Sequence, residues 1–150
     1  MATLEVRSLA RAPRGGTAGG AASFTVPEGR ICAVVGAARS GKTALLRLIA
    51  GLDRADTGDV LLDDFSILRV PPHRRGVGMM FQDLALFEHL SVRENVAFGL
   101  RMVGWPAGAR EQRVNDLLEV AGLTDRADDA LDGLAPDERQ RVALARTLAP

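Results

Sequence analysis

Residues 36–43 read GAARSGKT, between the apolar run RICAVV (30–35) and the stretch ALLRLIAGL (44–52). This order constrains the fold more than any other feature of the chain. The eight residues fit G-x-x-x-x-G-K-[ST], a pattern that needs a strand before it and a helix after it. The unbroken apolar run predicts a strand over 30–36 buried on both faces. Residues 42–50 predict a helix, with Gly51 as its C-terminal stop. Such a loop is built to hold phosphate. Gly36 and Gly41 let backbone N–H groups curl around phosphate oxygens, with Ala37, Ala38, Arg39 and Ser40 forming the loop between them. The helix start adds its dipole. Lys42 is placed to reach the β- and γ-phosphates of a nucleotide, and the Thr43 hydroxyl to hold Mg²⁺. The competing reading is an accidental glycine-rich turn between strand and helix.

Composition sharpens that choice. The chain has 18 arginines and a single lysine, Lys42. Wherever a positive charge suffices, this sequence uses arginine. The exception falls inside SGKT, where a compact ammonium on a flexible stem binds phosphate differently from a planar guanidinium. The 150 residues are enough for one domain with a real core. Zero net charge gives no global attraction to nucleic acid or anionic lipid, so no nucleic-acid partner is expected. No apolar run is long enough to span a bilayer, and MATLEVRSLARAPRGG has no signal-peptide apolar region. The one cysteine, Cys32, lies in the expected buried strand and reads as a small hydrophobe.

Elsewhere, residues 3–8 alternate like a half-buried strand, and 9–22 read as a Gly/Ala/Arg-rich loop. ASFTV (22–26) predicts a second strand and PEG (27–29) a turn. TGDVLLDD (57–64) predicts a turn and a strand, and GVGMMFQ (76–82) another buried strand that encloses Met79 and Met80. Helical periodicity follows over 91–103 and 107–121, with Val114, Leu117, Leu118 and Ala121 on one face and Gly122 as the stop. A last helix is expected from Pro136 to Leu148, with Asp137 and Glu138 complementing its positive end.

On these motifs the chain resembles the nucleotide-binding subunit of an ATP-binding cassette (ABC) transporter. GKTALLRLIAGLDRADTGDVLLDD is similar to that family's P-loop helix and following hairpin. RRGVGMMFQDLALFEHLSVRENVAFGL resembles its Q-loop region, and ERQRVALARTLAP the stretch that begins within the signature motif. The wording is most similar to importer subunits. The resemblance implies an α/β fold: a P-loop NTPase core over 1–82 with a small antiparallel β part, a helical subdomain over about 83–141, and the start of a return to the core over 142–150. It implies ATP and Mg²⁺ as ligands, a second nucleotide-binding subunit and an integral-membrane permease as partners, and a place in the cytoplasm at the inner face of the membrane. Gln82 takes the Q-loop position, where the family's glutamine touches the Mg²⁺ and water site. Gln82 is therefore the candidate catalytic residue, and Thr43 and Gln82 are the candidate metal contacts.

The sequence also departs from the family. Arg39 replaces the middle glycine usual in this P-loop. The signature LSGGQ is replaced by LAPDE (134–138): Ala135 has no hydroxyl, Pro136 has no N–H, and Asp137 puts a carboxylate where the family places a phosphate. The same changes suit an ordinary helix start. No aromatic residue precedes the second strand to stack on adenine, and Pro13 falls near the expected place. The family's Walker B strand and switch histidine are expected beyond Pro150, which makes autonomous hydrolysis unexpected and leaves the fold incomplete at that end. VLLDD (60–64) has Walker B wording but the position of the family's hairpin. These departures keep a second reading open, a non-catalytic or degenerate nucleotide-binding fragment with a regulatory role or none. A P-loop kinase is a third, opposed by the Q-loop and post-signature matches.

Other chemistry-bearing residues have bland readings. His73 reads as a solvated loop residue, and His89 and Cys32 are too far apart in sequence to suggest a metal site. Glu88 reads as a solvated charge and Trp105 as a packed loop anchor.

Overall fold

Two alternating segments and one hairpin build the sheet of the N-terminal unit. The structure, a computed structural model, describes residues 2–11 and 20–150. Strands β1 (Leu4–Ala10), β2 (Ala22–Val26), β3 (Thr57–Leu62) and β4 (Phe65–Ser66) form one antiparallel sheet in the order β2-β1-β3-β4. Val6 and Leu9 of β1 and Val60 of β3 are buried, and Leu48 and Ile49 of helix α1 (Lys42–Ala50) join the same core. The β1 register shifts between Val6 and Leu9, where Ser8 takes φ +45° and its N–H donates to Ser23 Oγ at 2.8 Å.

VLLDD is settled by this sheet. Leu62 pairs with Phe65 across a two-residue turn in which Asp63 and Asp64 take φ +47° and +67°. Two successive left-handed residues match the twist of a tight hairpin, and aspartate tolerates that conformation. Asp63 Oδ1 accepts from the Thr3 N–H at 2.8 Å, which ties the turn to the start of β1. The segment is the hairpin, not a displaced Walker B strand.

Helix α1 ends where expected. Gly51 takes φ +78° and its N–H bonds the Leu48 carbonyl at 3.1 Å. Arg47 in the last turn hydrogen-bonds Asp53 at 3.0 Å, and Arg11 lies 3.1 Å from the same carboxylate. The Arg47 hydrogen bond, together with the charges of Arg47 and Arg11, holds the Asp53 carboxyl below the usual carboxylate range. A depressed folded-state pKa means that this stabilisation is present above the unfolded pKa and is lost as pH falls through the folded one. Asp53→Asn is therefore expected to melt below wild type at neutral pH. Thermal melts across the acid range should show the gap closing below about pH 4.

Two expected strands are corrected. Residues 30–36 and 76–82 run without strand pairing, and the sheet includes neither. Ile31 is 99% exposed and Val35 86%. Cys32 is exposed rather than buried. Met79 is half-buried and Met80 is exposed, so the pair is not core packing. The physical reason is that a central strand needs hydrogen-bonding neighbours on both sides. Among the described residues no strand supplies them, so the segments stay open. Leu9 and Ala10 extend β1 beyond the expected boundary, whereas Pro13 and most of the Gly/Ala-rich loop lie outside the described residues.

The second compact unit runs from Met80 to Pro150. Helices α2 (Val92–Met102), α3 (Ala107–Val120) and α4 (Pro136–Leu148) surround a core that includes Val96, Leu100, Leu118, Leu131 and Val142. Val114, Leu117 and Leu118 are buried on the expected face of α3, with Ala121 packed against it. Gly122, at φ +63°, follows as the stop. Helix α2 opens with a full capping box: Ser91 Oγ accepts from the Glu94 N–H, and Glu94 accepts from the Ser91 N–H at 2.9 Å. Residues 142–148 continue α4 and bury Val142, Ala143 and Ala145 within this unit.

Candidate phosphate-binding site

The loop 36–41 wraps its own lysine. Lys42 is the first residue of α1, and its Nζ donates to the Gly36 carbonyl at 2.9 Å and the Ala37 carbonyl at 2.8 Å. Ser40 Oγ lies 3.4 Å from the same ammonium. The Ser40 N–H closes a turn onto the Ala37 carbonyl at 3.2 Å. A Cβ at Gly36 would stand 2.9 Å from Ser40 Oγ, so a side chain there would press on the loop. Ala37, Ala38, Arg39, Ser40, Gly41 and Thr43 are all exposed, and Lys42 is half-buried.

The electrostatics favour an anion. Gly41 caps α1 with no side-chain hydrogen bond, and no acidic residue lies in the first turn. The first amides of the helix therefore meet no competing carboxylate of their own turn, and the dipole adds positive potential. Arg39 adds a guanidinium to the loop at a conformational cost. It takes φ +62°, the left-handed region. A non-glycine residue there costs about 1–2 kcal/mol, which gives a physical reason for glycine at this position in similar loops.

The N-terminus of α4 has the opposite character. Pro136 occupies the first helical position, and the Ala135 N–H is taken by Glu138 Oε2 at 2.8 Å. Asp137 is paired along its own helix with Arg141 at 3.1 Å. Two carboxylates therefore occupy the first turn, and an anion approaching there meets like charge. The helix start lacks only a side-chain acceptor at the cap. Ala135→Ser is expected to supply it and to stabilise the chain by about 0.5–2 kcal/mol, read as a higher urea midpoint.

Gln82 lies on the second unit, exposed, at the start of a turn over 82–85. The loop that follows is held by residues whose roles are invisible in the sequence. Leu84 and Ala85 take φ +60° and +45°. Arg146 of α4 donates to both their carbonyls, at 2.9 and 2.6 Å, and stacks 5.3 Å above the Phe87 ring. Burial pushes the Arg146 pKa down from the ordinary guanidinium value. Asn95, fully buried, bonds Phe87, Leu90 and Ser91. Glu88 is exposed, as expected for a solvated charge, and also pairs with Arg139. His73 is exposed as expected, and His89 is exposed beside the Phe87 ring. Among the described residues no cluster of His, Cys, Asp or Glu could hold a metal. No helix of the described residues is long and apolar enough to cross a membrane.

Known proteins share much of this sequence. The chain is 47% identical over 126 residues to the sulfate/thiosulfate import ATP-binding protein CysA of Mycobacterium tuberculosis, covering 84% of this chain and 36% of that protein. It is 48% identical over 130 residues to the Fe(3+) ions import ATP-binding protein FbpC of Streptomyces avermitilis, covering 87% of this chain and 38% of the relative. It is 40% identical over 146 residues to the putrescine transport ATP-binding protein PotG of Escherichia coli, covering 97% and 39%. The chain thus spans little more than a third of the length of these curated relatives. Residues 20–150 match the family described as ABC transporter, a match that takes in the phosphate loop, Gln82 and α4 together, and the chain belongs to that family.

Proposed function

We propose that this chain is the ATP-binding part of an importer-type ABC subunit, which holds Mg-ATP through residues 36–43 to energise transport of a small solute. The observation that carries the reading is the ammonium of Lys42 enclosed by the Gly36 and Ala37 carbonyls at the start of an uncapped helix. The donor set fits the ligand. Lys42 would meet the β- and γ-phosphates, and the loop amides from Ala37 to Gly41 would line the phosphate chain. The exposed Thr43 hydroxyl would hold Mg²⁺. By its likeness to the family, Gln82 would serve as the Q-loop glutamine. The metal supplies charge neutralisation on the phosphates when bound. In this reading residues 1–82 form the P-loop core, about 83–141 the helical subdomain, and 142–150 the start of a return to the core. A second nucleotide-binding subunit and a membrane permease would complete the assembly on the inner face of the membrane.

The start of α4 favours a second reading, in which nucleotide is bound but not turned over at that helix. The Ala135 N–H is occupied, Pro136 offers none, and Asp137 and Glu138 repel anions. This end is a stable helix start and a poor phosphate site.

A ligand that binds only the folded state raises its stability, by about 2.7 kcal/mol at a hundredfold excess over Kd. Mg-ATP is therefore expected to raise the melting temperature of the chain in a concentration-dependent way. A folded chain whose melting does not respond to millimolar Mg-ATP would contradict the proposal.

A further inference from the structure

We propose that Arg75 is a positioning residue for nucleotide binding: its guanidinium clamps the C-terminal end of α1 and so fixes the helix whose first residues are Lys42 and Thr43. The inference rests on the function proposed above and assigns a further residue to the same site.

Arg75 is only 6% exposed. Its Nη1 donates to the Leu48 and Ile49 carbonyls at 3.2 and 2.9 Å, in the last turn of α1. Its Nε donates to the Val70 carbonyl at 2.8 Å, and its Nη2 to the Leu68 carbonyl at 2.7 Å. One planar group thus joins the helix end to the segment that follows β4. A helix end presents unsatisfied carbonyls and negative potential, and a buried cation with several donors answers both. Burial lowers the Arg75 pKa, but a guanidinium stays charged at neutral pH.

The neighbouring glycine is shaped to this clamp. A Cβ on Gly51 would meet Arg75 Nε at 2.4 Å, Cζ at 2.5 Å and Nη2 at 2.8 Å. Gly51 also takes φ +78°, so both space and conformation exclude a side chain. The rest of the helix has few anchors. Leu48, Ile49 and Ala50 are its buried residues, all at the C-terminal end; in the first half Leu45 alone packs, half-buried, against the core, whereas Thr43, Ala44 and Leu46 are exposed. The end that carries Lys42 is therefore held mainly through the end that Arg75 grips. A helix moves as a rod, so loosening one end displaces the other, and small displacements are costly for ligand geometry.

The test is titration of Mg-ATP into wild type, Arg75→Ala, Arg75→Lys, Gly51→Ala and Val60→Ala, with affinities corrected for the folded fraction. Val60 is buried in the same unit and serves as a stability control. Arg75→Ala and Gly51→Ala are expected to lose about tenfold or more in affinity. Lysine, which keeps the charge but not the fork, should recover part of it. Val60→Ala should lose stability and keep wild-type affinity. If Arg75→Ala does not fold, a several-fold loss in Arg75→Lys carries the test. Wild-type affinity in the folded Arg75 variants, or an equal loss in Val60→Ala, would overturn the inference alone. Failure of folded wild type to bind would overturn the proposed function and the inference with it.

Discussion

Replacing Asn95 by alanine is expected to lower the unfolding free energy by about 2–4 kcal/mol. Asn95 has no exposed surface, and its side chain uses both ends. Oδ1 accepts from the Phe87 N–H at 2.9 Å, and Nδ2 donates to the carbonyls of Phe87 at 3.1 Å, Leu90 at 3.2 Å and Ser91 at 3.0 Å. Alanine would remove all of these partners and leave the buried ones unsatisfied, a cost beyond the net worth of the bonds themselves. It would also loosen the turn that feeds the capping box of α2. The only tryptophan, Trp105, lies in the same unit. Urea unfolding followed by its fluorescence reads the change directly. A midpoint within error of wild type would mean that the loop 87–91 is held by something other than this amide.

Lys42→Ala is expected to weaken Mg-ATP binding by about ten- to a hundredfold, the loss of a charged hydrogen-bond donor worth about 1.5–3 kcal/mol. Stability should change little, within about 0.5 kcal/mol, because the loop around Lys42 is exposed and buries no core. That separation makes the variant informative: a large fall in affinity with an unchanged melt locates the effect in the ligand rather than the fold. Lys42→Arg should recover only part of the affinity, since a planar fork cannot replace a point charge between two loop carbonyls. Equal affinity in wild type and Lys42→Ala would show that nucleotide binds elsewhere.

The elements most legible in the sequence were those with local chemistry at their ends. Helix α1 stops at Gly51, α4 starts at Pro136, and β2 spans ASFTV. The Asp63–Asp64 turn was legible only through the family's hairpin position, and its left-handed φ values give the physical reason that aspartates suit it. The runs 30–36 and 76–82 failed for the converse reason. A continuous apolar segment states a preference for burial but not whether a neighbouring strand is present to bury it. The phosphate loop was legible as a motif, whereas the hold of the Gly36 and Ala37 carbonyls on Lys42 is seen only in the structure. The positive φ of Arg39 has no local signal, because nothing in its neighbours marks the backbone conformation. Least legible were the residues that act at a distance. Arg75 stands among arginines in RVPPHRRG and differs from Arg74 only in being buried. Glu88 and Arg139 are 51 residues apart. Asn95 looks like an ordinary polar residue on an amphipathic helix until the loop it fastens is seen.

The central claim is that GAARSGKT still holds a nucleotide. Calorimetric titration of Mg-ATP into the purified, folded wild-type chain tests it most directly. A saturable heat with one site per chain, absent when magnesium-free inorganic sulfate replaces the nucleotide, is the predicted result. A folded chain that gives no binding heat up to millimolar Mg-ATP would mean that the loop keeps the shape of a phosphate cradle without the affinity.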